Sequence, residues 1–106
     1  MTLPSERIAD RLAGRPIMVV GRAGMDIYPM PDGTRVEDAQ ELVNDVGGSS
    51  GNIAVSIAKQ GHPVMLLSAV SNDGVGRFVT RSLGEYGVDT RHCFVTTALE
   101  RTSLAM

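Results

Sequence analysis

The 106-residue chain contains no tryptophan, one cysteine and 4% aromatic residues, and its net charge is -2. It has neither the basic excess that neutralises phosphates nor the aromatic residues on which single strands stack, so we expect no nucleic-acid partner. A single cysteine excludes an intrachain disulfide and is typical of a reducing compartment. No segment is long and apolar enough to span a membrane, and the N-terminus lacks the apolar run of a signal peptide. We therefore expect a cytoplasmic protein without a membrane partner.

The hydrophobic pattern predicts one small α/β domain. Apolar runs at residues 17–21 and 64–70 are typical of parallel strands buried on both faces, and we expect the first to be a central strand. Helical periodicity over residues 52–60 places Ile53, Ala54, Ile57 and Ala58 against the sheet. The other predicted elements are a leader helix over 4–14, a helix after the 71–76 turn that buries Val75, Phe78, Val79 and Leu83 and stops at Gly87, a loop at 88–92, an edge strand at 93–97 and the start of another strand at 102–106.

A loop of small residues, Gly-Gly-Ser-Ser-Gly at 47–51, runs directly into the helix that begins near Asn52. Without Cβ atoms the backbone can approach a ligand closely, and the free N–H groups at a helix start favour anions and polar oxygens. A tight strand-to-helix turn explains the same glycines without any ligand. Asn52 either caps the helix or directs its side-chain amide at a ligand, and the sequence leaves both roles open. The spacing matches neither a dinucleotide-binding fingerprint nor a P-loop.

Two aspartates follow the predicted strands. Asp26 lies at the carboxyl end of the first strand, the edge at which open α/β sheets bind ligands, so it is a candidate site residue, although a solvated turn aspartate fits the same position. Asp73 precedes the second helix, where a carboxylate most simply caps the free N–H groups. Residues 27–46 combine turn residues with short alternating stretches. They predict an excursion of short strands outside the main sheet, well placed to act as a lid.

The chain offers little for metal or nucleophilic chemistry. His92 and Cys93 are adjacent and cannot easily share one tetrahedral ion, while His62 has no partner nearby in the sequence. Ser49 and Ser50 have no evident histidine base. We predict structural roles for the histidines and the cysteine, and no metal site in this chain.

Together these motifs resemble the N-terminal part of the ribokinase-like (PfkB) carbohydrate kinases. The similarity rests on Gly-Met-Asp at 24–26, Gly-Gly-Ser-Ser-Gly-Asn at 47–52 and Asn-Asp-Gly-Val-Gly at 72–76, in the order that the family has them. It covers nearly the whole chain. It implies a Rossmann-type three-layer α/β/α core with a small β lid, in which residues 1–106 are the N-terminal segment and residues 27–46 are the lid.

The resemblance implies a sugar-binding role for particular positions. Asp26 matches an aspartate that accepts hydrogen bonds from sugar hydroxyls, which suits a carboxylate because it accepts two donors at once. Ser49 stands where ribokinase has a lysine, and Gly24 stands where it has a sugar-binding asparagine, so the resemblance favours an acidic sugar over ribose. The positions that match the sugar-binding segment are Asp26, Gly47, Gly48, Ser49 and Asn52.

The family's catalytic aspartate lies in a Gly-Ala-Gly-Asp motif that this sequence does not contain. The resemblance implies ATP and Mg²⁺ as cofactors, bound mainly by a later part of the fold, and a homodimer formed through the lid. Because the chain stops in an apolar, strand-like run at 103–106, we expect a segment of a longer kinase that is inactive alone. The alternative from another class is a non-catalytic small α/β module, complete at this length, that binds a sugar or a nucleotide. A third alternative is a fragment that misfolds or associates through an exposed apolar edge.

Overall fold

The computed structural model describes residues 10–97 and 101–106. These residues form two three-stranded sheets with two long α-helices and one short 3-10 helix. The predicted leader helix over 4–14 lies mostly outside the described residues, and residues 10–12 of it are helical. The elements are the strands β1 (Ile17–Val20), β2 (Gly24–Met30), β3 (Glu41–Gly47), β4 (Val64–Ser71), β5 (Cys93–Thr96) and β6 (Ser103–Ala105), the helices α1 (Ser49–Lys59) and α2 (Gly74–Glu85), and the 3-10 helix Val36–Asp38.

The main sheet consists of three parallel strands in the order β1-β4-β5. This arrangement confirms the predicted parallel sheet of an α/β fold. The prediction that β1 is central and buried on both faces is wrong for the described chain. Its neighbour β4 occupies the centre, and Val20 on β1 is 65% exposed because no described element packs over that side of the strand.

The second sheet, which we call the lid sheet, has the strand order β3-β2-β6. Strands β2 and β3 form an antiparallel hairpin, and β6 joins β2 in parallel. The predicted excursion outside the main sheet is therefore confirmed, but the hairpin is longer than residues 27–46 because β2 begins at Gly24 and β3 ends at Gly47. Asp26 is consequently a strand residue, and its alternative interpretation as a turn aspartate is wrong.

Helix α1 begins at Ser49, three residues before the predicted start near Asn52. Gly48 occupies the N-cap position with a φ of 81°, a left-handed conformation that glycine adopts without the strain a Cβ would bring. The small residues of the loop therefore do not all precede the helix. Ser49, Ser50 and Gly51 form its first turn.

The buried stripe of α1 follows Ser50, Gly51, Ala54 and Val55. Ala54 is completely buried, as its predicted position requires. The prediction that Ile53 faces the sheet is wrong. Ile53 is 53% exposed, because a buried stripe that includes Gly51 and Val55 leaves position 53 on the flank of the helix.

The core lies between the two long helices, α1 and α2, and the central strand β4. The predicted periodicity of α2 is confirmed, since Val79 and Leu83 are both 0% exposed. The helix ends before Gly87, whose φ of 97° again requires the left-handed region. The largest fully buried side chains come from β4 and α2: Leu66, Val70, Val79 and Leu83.

The last two strands lie in different sheets. The predicted edge strand at 93–97 is confirmed as β5, and the strand predicted to start at 102–106 is confirmed as β6. At the end of β4, the Ser71 backbone N–H donates to the Thr102 hydroxyl at 2.7 Å, and the Thr102 backbone N–H donates to the Ser71 hydroxyl at 3.0 Å. These bonds join the main sheet to the start of β6.

Within the described part of the chain, no helix combines the length and the apolar character needed to cross a membrane.

Candidate functional site

One face of the lid sheet carries the polar side chains of the candidate site. Asp26 on β2 lies directly opposite Asp45 on β3, and Gly24 lies opposite Gly47. Directly opposed residues in an antiparallel pair project to the same face, as do residues two apart on one strand. Asp26, Tyr28, Asp45 and Gly47 therefore share this face, which we call the site face.

Gly47 provides the space in which the Asp26 carboxylate lies. A Cβ added at Gly47 would overlap both carboxylate oxygens of Asp26. The φ of Gly47 is not in the positive region, so space and not backbone conformation requires glycine here. The structure thus brings together two of the predicted site residues, which are separated by about twenty positions in the sequence.

Tyr28 donates a hydrogen bond from its hydroxyl to Asp26 Oδ2 at 3.2 Å. The negative charge of Asp26 and this hydrogen bond both raise the pKa of Tyr28, because the phenolate would face a carboxylate. The phenol therefore stays a donor at neutral pH. Sequence reasoning missed Tyr28, although its i+2 spacing from Asp26 within a strand is the signal that could have identified it.

Asp45 carries the other carboxylate on the site face, and both of its oxygens accept hydrogen bonds from the protein. The Tyr86 hydroxyl lies 2.9 Å from Asp45 Oδ1 and 3.1 Å from Oδ2, and the Val46 backbone N–H donates to Oδ1 at 2.7 Å. The hydrogen bond from Tyr86 to Asp45 raises the pKa of that tyrosine. Lys59 lies 5.0 Å from the centre of the Tyr86 ring, within cation–π range. The hydrogen bonds between Tyr86 and Asp45 thus join β3 to the residue that follows α2.

The glycine loop packs closely against the segment that leads into β2. A Cβ at Gly48 would lie 2.9 Å from the Arg22 carbonyl oxygen and 3.0 Å from Ala23 Cα. The Gly51 N–H donates to the same Arg22 oxygen at 3.2 Å. The start of α1 is therefore fixed beside the start of β2, as the predicted site requires.

Asn52 and Ser49 lie on the exposed surface of the first turn of α1. Asn52 is not the N-cap, since that position belongs to Gly48, and its backbone N–H donates to the Gly48 oxygen at 2.9 Å. The first of the two roles considered for Asn52 is therefore wrong. Within the described residues, neither side chain makes a hydrogen bond, so the structure does not connect them to Asp26.

Asp73 has the capping role that its position predicts. Its Oδ1 accepts from the Gly76 N–H at 2.9 Å and from the Ser71 hydroxyl at 2.7 Å. The bond from Gly76, followed by that from Ser71, lowers the pKa of Asp73. Arg101 lies 3.4 Å from its other oxygen, so the same carboxylate also contacts the segment before β6.

His62 and Cys93 make side-chain hydrogen bonds that fit structural roles. His62 Nε2 lies 2.8 Å from the Arg15 carbonyl oxygen. The Cys93 thiol donates to the Leu66 carbonyl oxygen at 3.5 Å, and burial raises its pKa, which makes it a poor nucleophile. Over residues 10–97 and 101–106, no three histidine, cysteine, aspartate or glutamate side chains group closely enough to hold a metal ion.

A family profile described as pfkB family carbohydrate kinase matches residues 15–106. A 5-dehydro-2-deoxygluconokinase of Photobacterium profundum is 36% identical over 88 residues, which are 83% of this chain and 27% of that protein. The chain thus spans about a quarter of the length of the curated relatives it matches.

Solved structures show the same fold. A fructokinase of Xylella fastidiosa with bound ATP superposes with a TM-score of 0.71 at 26% identity, covering 87% of this chain and 30% of the other. A 2-dehydro-3-deoxygluconokinase of Thermotoga maritima superposes with a TM-score of 0.74 at 20% identity, covering 84% of this chain and 26% of the other, which supports the fold alone. The predicted ribokinase-like α/β fold is therefore confirmed.

Proposed function

The chain belongs to the pfkB family of carbohydrate kinases, and from this premise we propose that it is the sugar-binding N-terminal part of an ATP-dependent sugar kinase. The proposed reaction transfers the γ-phosphoryl group of ATP to a primary hydroxyl of 5-dehydro-2-deoxygluconate or a related sugar acid. Relatives named 5-dehydro-2-deoxygluconokinase support this substrate. The resemblance of residues 21–29 and 47–52 to 5-dehydro-2-deoxygluconokinase, an enzyme of inositol catabolism, also supports this substrate. Within the family, 2-dehydro-3-deoxygluconate and ribose are the alternative substrates.

The observation that carries the proposal is the Asp26 carboxylate, which lies over Gly47 on the site face with Oδ1 free of hydrogen bonds from the described residues. A carboxylate oxygen in this position can accept a hydrogen bond from a sugar hydroxyl. Gly47 and Gly48 offer backbone without side-chain bulk beside it, and Ser49 and Asn52 offer free polar groups on the adjoining helix turn. We propose that these five residues form the sugar side of the site.

The remaining chemistry of a phosphoryl transfer is proposed to come from other parts of a kinase. The motif of the family's catalytic aspartate is absent from this sequence. ATP supplies the phosphoryl group and Mg²⁺ offsets phosphate charge, and the described residues contain no cluster that fits the metal. The residues of this chain would bind and orient the sugar, while the lid sheet excludes water from it. We therefore propose that this segment alone is inactive. We also propose that the kinase acts in the cytoplasm, which the single cysteine supports.

We also propose a homodimer that forms through the lid sheet. Strand β3 is an edge strand of the described lid sheet, and Leu42 and Val43 on it are 51% and 41% exposed. An exposed apolar edge strand favours pairing with a second copy. Light scattering after size-exclusion chromatography tests this assembly, and a monomer at micromolar concentration would contradict it.

The experiment for the main proposal uses the full-length product of the reading frame that encodes these residues. Its intact mass is determined, and ATP-dependent phosphorylation and calorimetric binding are measured with 5-dehydro-2-deoxygluconate, 2-dehydro-3-deoxygluconate and ribose. The Asp26→Asn variant should raise KM for the sugar about tenfold or more, because a charged acceptor is lost. The matched control is Asp32→Asn, which makes the same change at an exposed position of the hairpin turn and should leave KM unchanged.

Three outcomes separate the hypotheses. Turnover with a sugar acid and a raised KM in Asp26→Asn support the kinase. Sugar binding without turnover by a product of about 11.3 kDa supports the non-catalytic module. Turnover at that mass would contradict the proposal that the absent aspartate is needed.

A further inference from the structure

Tyr28 lies on the site face beside the proposed sugar-binding carboxylate of Asp26, but the proposed function gives it no role. We propose that Tyr28 is a positioning residue, whose hydroxyl fixes the Asp26 carboxylate so that Oδ1 faces the sugar hydroxyls. This inference rests on the proposed function and adds a residue to the same site. The arrangement behind it is a tyrosine two residues from Asp26 on one face of β2, 3.2 Å from Oδ2.

The Asp26 side chain needs such a restraint because of Gly47. The missing side chain at Gly47 gives the carboxylate room, but it also leaves no Cβ against which the carboxylate could be packed. A carboxylate that is free to rotate about its terminal torsion loses orientation entropy when it binds a hydroxyl. A hydrogen bond to one oxygen restricts that rotation and leaves the other oxygen available.

Among the described residues, Tyr28 is the side chain that supplies this bond to Asp26. Asp45 lies opposite Asp26 and carries the same charge, so it cannot donate to it. Its own oxygens are already taken by Tyr86 and by the Val46 N–H. The two tyrosines of the chain thus each donate to an aspartate of the site face. Of these two carboxylates, Asp26 alone keeps an oxygen that accepts no hydrogen bond from the described residues.

The phenol is suited to this task in the working enzyme. The adjacent carboxylate raises its pKa, so the hydroxyl keeps its proton and donates throughout the neutral range. The Tyr28 side chain is 48% exposed in the described structure, which means that the bond now competes with water. Closure of the lid sheet over a sugar would remove that competition and strengthen the bond in the bound state.

The test compares Tyr28→Phe with the wild-type full-length protein. The dissociation constant of 5-dehydro-2-deoxygluconate is measured by calorimetry, together with kcat and KM. We expect the dissociation constant and KM to rise about three- to tenfold, with kcat within about twofold, because the lost bond orients the carboxylate that binds the sugar. The matched control is Tyr86→Phe, which removes the other tyrosine–aspartate bond. It should lower the unfolding midpoint and leave the dissociation constant within about twofold.

A double-mutant cycle with Asp26→Asn separates positioning from other roles. If Tyr28 acts through the carboxylate, Tyr28→Phe should change the dissociation constant less than about twofold in the Asp26→Asn background. Equal losses in both backgrounds would overturn the proposal, as would wild-type affinity in the single variant. Unfolding by urea checks that Tyr28→Phe is folded. If the wild-type protein binds none of the tested sugars, the proposed function itself fails, whereas normal wild-type binding with an unaffected Tyr28→Phe variant refutes only the positioning role.

Discussion

The substitution Gly47→Ala would place a methyl group in the space now occupied by the Asp26 carboxylate. The added Cβ overlaps both oxygens of that side chain, so they cannot remain where they are. The Asp26 carboxylate is the end of a rotatable side chain and can turn away. The φ of Gly47 is not positive, so its backbone conformation is one that alanine adopts without strain. The substitution should therefore damage the proposed site more than the fold.

The two effects can be estimated separately. Displacement of the carboxylate removes a hydrogen bond between a charged group and the sugar, which is worth about 1.5–3 kcal/mol, or about a 10- to 150-fold loss of affinity. For the fold, alanine in place of a strand glycine gains roughly 0.5–1 kcal/mol, which offsets part of the cost of turning one side chain. We therefore expect the free energy of unfolding to change by less than about 1 kcal/mol.

The assay measures sugar affinity by calorimetry and the free energy of unfolding in urea on the same full-length preparations. The control is Gly84→Ala on α2, where an added Cβ has no heavy atom within 4 Å. This variant should be more stable by about 0.5–1 kcal/mol, because alanine favours the helix, and should bind the sugar normally. The reasoning is refuted if Gly47→Ala binds as tightly as the wild type, or if its loss of stability is as large as its loss of affinity.

Two further predictions concern the scaffold. Leu83→Ala should lower the free energy of unfolding by about 2–5 kcal/mol in urea, because Leu83 is 0% exposed; a loss below about 1 kcal/mol would mean that the core collapses around the cavity. Asp73→Asn should lower the melting temperature at neutral pH, since the Gly76 N–H loses a charged acceptor. The pKa of Asp73 in the folded protein lies below its ordinary value of 3.8. The stabilisation by the ionised carboxylate is therefore complete at a pH well above 3.8 and is lost as the pH falls through the lowered pKa. If the melting temperatures of the wild type and the variant fell equally as the pH is lowered, this prediction would be contradicted.

The sequence allowed prediction of those features that depend on nearby residues. Apolar runs identified β1 and β4, and helical spacing identified α2 with its aspartate cap, because each pattern is contained within one element. The position of β1 in the sheet could not be predicted in this way, since it depends on which elements pack beside it. The exposure of Ile53 likewise depends on how α1 is rotated against the sheet.

The candidate site was predicted only in part, for a related reason. The resemblance to a family identified Asp26 and the glycine loop, but the contact between Asp26 and Gly47 follows from the register of β2 and β3. Tyr86 and Asp45 are 41 residues apart, and no local pattern connects them. Register and long-range side-chain contacts are fixed by tertiary packing, so single-sequence reasoning cannot supply them.

The attachments of the lid sheet have a mechanical consequence. Gly47, Gly24 and Ser103 form one row across its three strands, and the bonds between Ser71 and Thr102 hold that row near the main sheet. The other end of the hairpin, near Met30 and Glu41, extends beyond β6, and among the described residues it has no such hydrogen bond to the main sheet. We therefore expect the sheet to bend like a cantilever that is fixed along this row. We expect its tip to deflect most and the Asp26 position, close to the fixed row, to deflect least, so that the hairpin would close over the proposed sugar while Asp26 stays nearly still.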